Sequence, residues 1–83
     1  METEIFIFCE NIKLLRKRKN LSVEEMAQLL NINVIELSLI ENNTLPYDLN
    51  CNIIFKIQHH FGITPKELFS KIIEEEFVYK ENV

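Results

Sequence analysis

Residues Leu21 to Glu41, LSVEEMAQLLNINVIELSLIE, carry two helix-start signals in close succession, and this constrains the chain more than anything else in it. Ser22 stands three positions before Glu25. Ser-x-x-Glu is a capping box, in which each side chain satisfies a backbone donor at a helix start. Met26, Leu29 and Leu30 then form an apolar stripe at helical spacing. Ala27 lies among them and is small enough to let a second helix cross closely. Asn31 follows, where the chain must reverse, and Asn enters the left-handed backbone region more readily than any residue but Gly. Asn33 caps the next helix, with Glu36 at its capping-box position and Leu37 and Ile40 turned inward. The segment is therefore predicted to be two short helices joined by a tight turn.

The rest of the chain also reads as helices. Ile5, Phe8, Cys9, Ile12 and Leu15 recur at helical spacing and form the inner stripe of a first helix, which ends at Lys19-Asn20 with cations near its negative end. Ile5 to Phe8 is β-prone, and a short strand there is the alternative. A loop, NNTLPYDLN, follows Glu41. A fourth helix is predicted from an Asn50 cap through CNIIFKIQHHF, with Gly62 stopping it. Thr64-Pro65-Lys66-Glu67 is a second Ser/Thr capping box with Pro at the first helical position, opening a fifth helix over ELFSKIIEEEFVY. The expected fold is all-α with five helices. It forms one domain over residues 1–83, with a core from about 5 to 79 and a tail that frays after Tyr79.

Composition narrows the function classes. Hydrophobic residues make up 47% of the 83, ample for one small core. A chain this short buries only about three-fifths of its unfolded surface, so its stability is modest without a partner. One Gly and two Pro leave little room for hairpins or Gly-rich phosphate loops. No apolar run approaches the ~18 residues of a membrane span. METEIFIFCE lacks a basic region before its apolar stretch, a poor secretion signal. A cytoplasmic protein is expected. Cys9 and Cys51 are read as reduced, buried small hydrophobes.

A zinc site from Cys51, His59 and His60 is disfavoured, because adjacent histidines diverge by about 100° on a helix and no CxxC or HxxxH is present. His59 is expected in solvent and His60 partly packed. Glu74, Glu75 and Glu76 point different ways on a helix and read as a solvated face. Asp48, Asn50 and Asn52 lack the glycine and terminal glutamate of a calcium loop. No catalytic arrangement, metal site, cofactor or small-molecule substrate emerges, and an enzyme is not expected.

The order of these signals resembles the phage-repressor and Cro type of helix-turn-helix domain. The residues that carry the likeness are IKLLRKRKNLS in helix one, the two capped helices, Ile40-Glu41 at their end, and then Pro46 and IIFKIQHHFGITPKELF. Ala27, Asn31 and Leu37 have the spacing of the motif. The resemblance covers roughly Ile5 to Phe69. It implies five helices and, usually, sequence-specific binding of double-stranded DNA as a dimer. It also implies that Arg16, late in helix one, pairs with Glu41 at the end of the recognition helix and holds the two together.

The departures are in the residues that would face DNA. The polar residue usual after the first cap of helix two is Val23 here. The base-reading positions carry Asn33, Val34, Ile35, Glu36 and Leu39. Only Asn33 offers the paired donor and acceptor that read adenine. Val and Ile can touch a thymine methyl but form no hydrogen bond, and Glu36 can accept from cytosine yet repels phosphate. The Asn42–Asn50 loop is about two residues longer than the usual pattern. Gln58 stands where a small apolar residue is usual, so it is expected to need a polar partner at the core edge.

The net charge is −4 and the isoelectric point near 5.1, against the basic footprint of DNA-binding domains. The charge is uneven. Lys13, Arg16, Lys17, Arg18 and Lys19 crowd helix one, and Glu67, Glu74, Glu75, Glu76 and Glu81 lie toward the end. That basic cluster is either a local phosphate-binding patch or a solvated helix end complementing its own dipole.

Two readings follow. In the first the chain is a DNA-binding transcriptional regulator of weak affinity, with Ser22, Asn33 and Asn42 as polar contacts and Lys17, Arg18 and Lys19 near phosphates. In the second it is a protein-interaction module that docks through the apolar face of Val34, Ile35 and Leu39. Phe6, Ile7, Phe77, Val78 and Tyr79 add apolar surface at the termini, which suits a homodimer through helix five.

Overall fold

A computed structural model describes residues 2–73. Five helices follow one another: α1 (Glu2–Arg18), α2 (Val23–Leu30), α3 (Val34–Glu41), α4 (Asn52–Phe61) and α5 (Pro65–Ser70), with no strand among the described residues. The apolar stripe of α1 explains why Ile5 to Phe8 is helical rather than extended. Phe8, Cys9, Ile12 and Leu15 are all buried in one continuous face, and a strand would break its phase. α1 packs on α5 and α3, and α2 packs on α3 and α4. Their inner faces meet in a core of Met26, Ala27, Leu30, Leu37, Ile40, Ile53, Ile57 and Leu68. Phe8 stacks on Phe69 with ring centres 4.9 Å apart and planes 9° from parallel.

The helix starts follow local chemistry. Ser22, Asn33 and Thr64 each accept a hydrogen bond from the backbone N–H three residues on, and Glu25, Glu36 and Glu67 each reach back to the cap's own N–H. These hydrogen bonds from Thr64 hold the Glu67 carboxyl below its ordinary value near 4.5. The turns rely on asparagine. Asn20, Asn31 and Asn43 have φ of 57°, 61° and 64°. At Asn31 the backbone N–H bonds to the carbonyls of Ala27 and Gln28, closing α2 and setting the turn into α3. Asn31→Gly is therefore expected to leave stability unchanged or slightly raised, whereas Asn31→Val should cost roughly 1–2 kcal/mol because its Cβ branches meet the left-handed backbone. Urea unfolding of the two variants checks this, and equal stabilities would show that the turn tolerates another conformation.

Several expectations need correction. The predicted Asn50 cap is displaced. α4 begins at Asn52, and its flanking residue Cys51 makes no side-chain cap. Asn50 instead accepts from the Asn52 N–H at 2.8 Å, turning the chain just ahead of the helix. Cys51 is exposed, not buried, because it sits at that entry, while Cys9 is buried in the α1 stripe. Burial pushes the Cys9 thiol up, with Glu10 adding to the shift. His60 is exposed like His59, and the two rings meet edge to face at 4.8 Å. Gln58 also faces solvent, so it needs no partner at the core edge.

The largest correction is in α5, which ends at Ser70 instead of running on to Tyr79. Lys71 is extended, with φ −155° and ψ 154°. The cause lies in α1. The fully buried Asn11 donates through Nδ2 to the carbonyls of Leu68 (2.8 Å) and Lys71 (2.9 Å), and its Oδ1 accepts from the Ile73 N–H (2.8 Å). One side chain thus supplies partners that a continuing helix would have supplied itself. The readings placed on Glu74, Glu75, Glu76, Phe77, Val78, Tyr79 and Glu81, the tail and the helix-five dimer lie outside the described residues.

Candidate nucleic-acid interface

The α2–turn–α3 unit is clamped to α1 through one guanidinium. Arg16 donates from Nε to Glu41 Oε2 at 2.6 Å and from Nη2 to Glu41 Oε1 at 2.9 Å, while Nη1 reaches the Leu21 carbonyl at 3.0 Å. The end of α1, the entry to α2 and the end of α3 are thereby fixed to one planar group. The two side chains are 17% and 12% exposed. Hydrogen bonding to Glu41 pushes the Arg16 guanidinium above its already high ordinary value, with burial acting against the shift.

This clamp turns a defined face of α3 outward. Leu37 and Ile40 are buried, and Val34, Ile35, Ser38, Leu39 and Asn42 are exposed. Val34, Ser38 and Asn42 are spaced by four residues and form one row, and Ile35 and Leu39 form the next. Ile35 is 73% exposed, and Val34 and Leu39 are 39% exposed each. Ser38 sits in the middle of this face and was not singled out from the sequence. Its position four residues from both Val34 and Asn42 was the available signal.

The predicted polar contacts are already engaged within the chain. Asn33 Oδ1 accepts from the Glu36 N–H at 2.7 Å. With the cap in place, Asn33 does not present the paired donor and acceptor expected to read adenine. Glu36 is half-buried and folds back, its Oε1 accepting from the Asn33 N–H at 3.0 Å. Ser22 Oγ accepts from the Glu25 N–H at 3.0 Å. Asn42 donates from Nδ2 to the Ser38 carbonyl at 2.9 Å. Val23 is half-buried and packs against the core. The outward face of α3 is therefore aliphatic, with Ser38 and Asn42 as its polar members and no charged group in the row.

Lys17, Arg18 and Lys19 are all exposed. Arg18 and Lys19 line a concavity of about 300 Å³ with Leu15, Phe61, Gly62, Ile63, Glu67 and Ile73, which includes no residue of α2 or α3. Lys13 pairs with Glu10 at 3.5 Å. Beyond α3, Leu45, Tyr47 and Phe55 are further exposed apolar side chains that the helical pattern alone does not mark. Among the described residues no group of His, Cys, Asp or Glu could hold a metal ion, and no helix is long and apolar enough to cross a membrane.

The profile of a helix-turn-helix family (HTH_3) matches residues 12–68, from the middle of α1 to the buried Leu68 of α5. No curated protein and no solved structure matches the chain significantly.

Proposed function

Because the chain belongs to the helix-turn-helix family, whose members are DNA-binding transcription regulators and typically non-enzymatic, we propose that it is a cytoplasmic regulator whose affinity for duplex DNA is low and strongly salt-dependent. One observation carries this reading. The outward row of α3 offers three aliphatic side chains and no cation, so attraction to the duplex comes from Lys17, Arg18 and Lys19 at the end of α1. A net charge of −4 opposes approach to DNA everywhere else. Contact with about three phosphates gives a slope near −3 for log affinity against log salt concentration.

Titration of a labelled mixed-sequence duplex at low and moderate salt, followed by fluorescence anisotropy, tests the proposal. Lys17→Ala or Lys19→Ala is expected to weaken binding at low salt and to reduce the slope by about one. Tight binding to one sequence, indifferent to both changes, overturns this arrangement of contacts.

A second reading draws on the exposure of Ile35 and Leu39, which adjoin on one face and are a natural contact for a protein, including a second copy of the chain. Ile35→Lys with Leu39→Lys separates the two readings. On DNA the added charges raise non-specific affinity. At a protein contact they weaken association, which sedimentation reads directly.

A further inference from the structure

We propose that the outward face of α3 recognises the C5-methyl groups of pyrimidines in the major groove, with runs of thymine as its preferred site, an inference that rests on the DNA-binding reading above. The polar alternatives are largely spent. Asn33 Oδ1 and the Glu36 carboxylate close the capping box, Asn42 Nδ2 is bonded to the Ser38 carbonyl, and Glu41 is held by Arg16. What remains toward a duplex is Val34, Ile35 and Leu39 around Ser38. The major-groove edge offers one apolar group among the four standard bases, the methyl of thymine, and aliphatic side chains are matched to it.

The spacing also fits. Ile35 and Leu39 lie one helical turn apart, about 5.4 Å along the axis. Successive bases on a strand are separated by about 3.4 Å. The two side chains therefore reach methyls on neighbouring or next-neighbouring thymines. Glu36 is folded onto the cap and Glu41 is neutralised, so neither carboxylate stands in the row facing the phosphates. Lys17, exposed at the end of α1, supplies a charge complementary to the backbone. Because the recognised group is a methyl, 5-methylcytosine presents the same C5-methyl as thymine at that position, beside an amino donor in place of the carbonyl acceptor.

The test compares three duplexes of one sequence: thymine-containing, fully uracil-substituted, and 5-methylcytosine-substituted. Uracil removes the methyl and leaves base pairing intact. Each engaged methyl is worth about fourfold in affinity, so the wild type should bind the thymine duplex roughly fifteenfold more tightly than the uracil duplex when two are engaged. Methylating cytosines should raise affinity where they replace unmethylated contacts. Ile35→Ala with Leu39→Ala, at exposed positions outside the core, should bind the thymine and uracil duplexes equally while keeping the salt slope. Equal affinity of the wild type for thymine and uracil duplexes, with salt-dependent binding intact, overturns the methyl reading and leaves DNA binding standing. Failure to bind any duplex at low salt overturns both. Loss of self-association in the double alanine variant, with a wild-type thymine-to-uracil ratio of one, assigns the face to a protein contact and overturns the inference.

Discussion

Asn11→Ala is expected to destabilise the fold by roughly 3 kcal/mol, from three stranded backbone groups at about 1–3 kcal/mol each, reduced where water enters the space left behind. The carbonyls of Leu68 and Lys71 lose their donor, and the Ile73 N–H loses its acceptor. A domain of this size has about 4–12 kcal/mol of total stability, so the loss is a large fraction of the whole. Denaturant unfolding measures it, and hydrogen exchange localises it, because protection of the Ile73 amide should fall with it. Asn11→Asp gives a sharper reading. The carboxylate keeps an acceptor for Ile73 but sets negative charge against two carbonyls, and burial raises its folded pKa above the unfolded value. An acid shifted upward costs stability once the pH exceeds its unfolded pKa, so this variant should be more stable at pH 5 than at pH 7. A loss under about 1 kcal/mol in Asn11→Ala, with Ile73 protection unchanged, would show that the end of α5 is held by something else.

Arg16→Ala and Glu41→Ala are each expected to cost roughly 2–3 kcal/mol. This lies below the ~3–5 kcal/mol of a fully buried broken pair because both side chains keep an edge in water. Either change leaves the other charge without its two-pronged partner, and Arg16→Ala also strands the Leu21 carbonyl. The double variant should cost much less than the sum, since no isolated charge remains. Additive losses in a double-mutant cycle would mean that the pair contributes nothing as a unit. Because Glu41 terminates α3, loosening the clamp should also alter the aim of Ile35 and Leu39, so a change in duplex affinity is expected alongside the loss of stability.

The elements legible in the sequence depend on residues close together in the chain. Three capping boxes, Ser22 with Glu25, Asn33 with Glu36 and Thr64 with Glu67, involve side chains and backbone groups three residues apart. The left-handed turn at Asn31 and the stop at Gly62 are single-residue backbone preferences. The burial of Leu37 and Ile40, and with it the outward direction of Val34, Ile35 and Leu39, follows from the helical period once α3 is capped. The partnership of Arg16 and Glu41 came only from the family resemblance, because nothing local links residues so far apart.

The tertiary structure decided the rest, for one physical reason: a buried polar group takes whatever partner the fold brings to it. Asn11 lies in phase with Phe8, Ile12 and Leu15, and that phase was the available sign that a polar side chain would enter the core. Its partners, however, lie at Leu68, Lys71 and Ile73, on a segment whose own pattern reads as uninterrupted helix. Helix propensity over KIIEEEF is worth a few tenths of a kcal/mol per residue, and three hydrogen bonds, two of them buried, outweigh it. Asn33 is a different case, because the capping box that engages its oxygen is local and was legible in the sequence beside its reading as a base contact. The sequence by itself therefore determined five helices, the capping boxes that start α2, α3 and α5, the turn at Asn31 and the aliphatic face of α3, and only the packed fold decided where α4 begins and where α5 breaks.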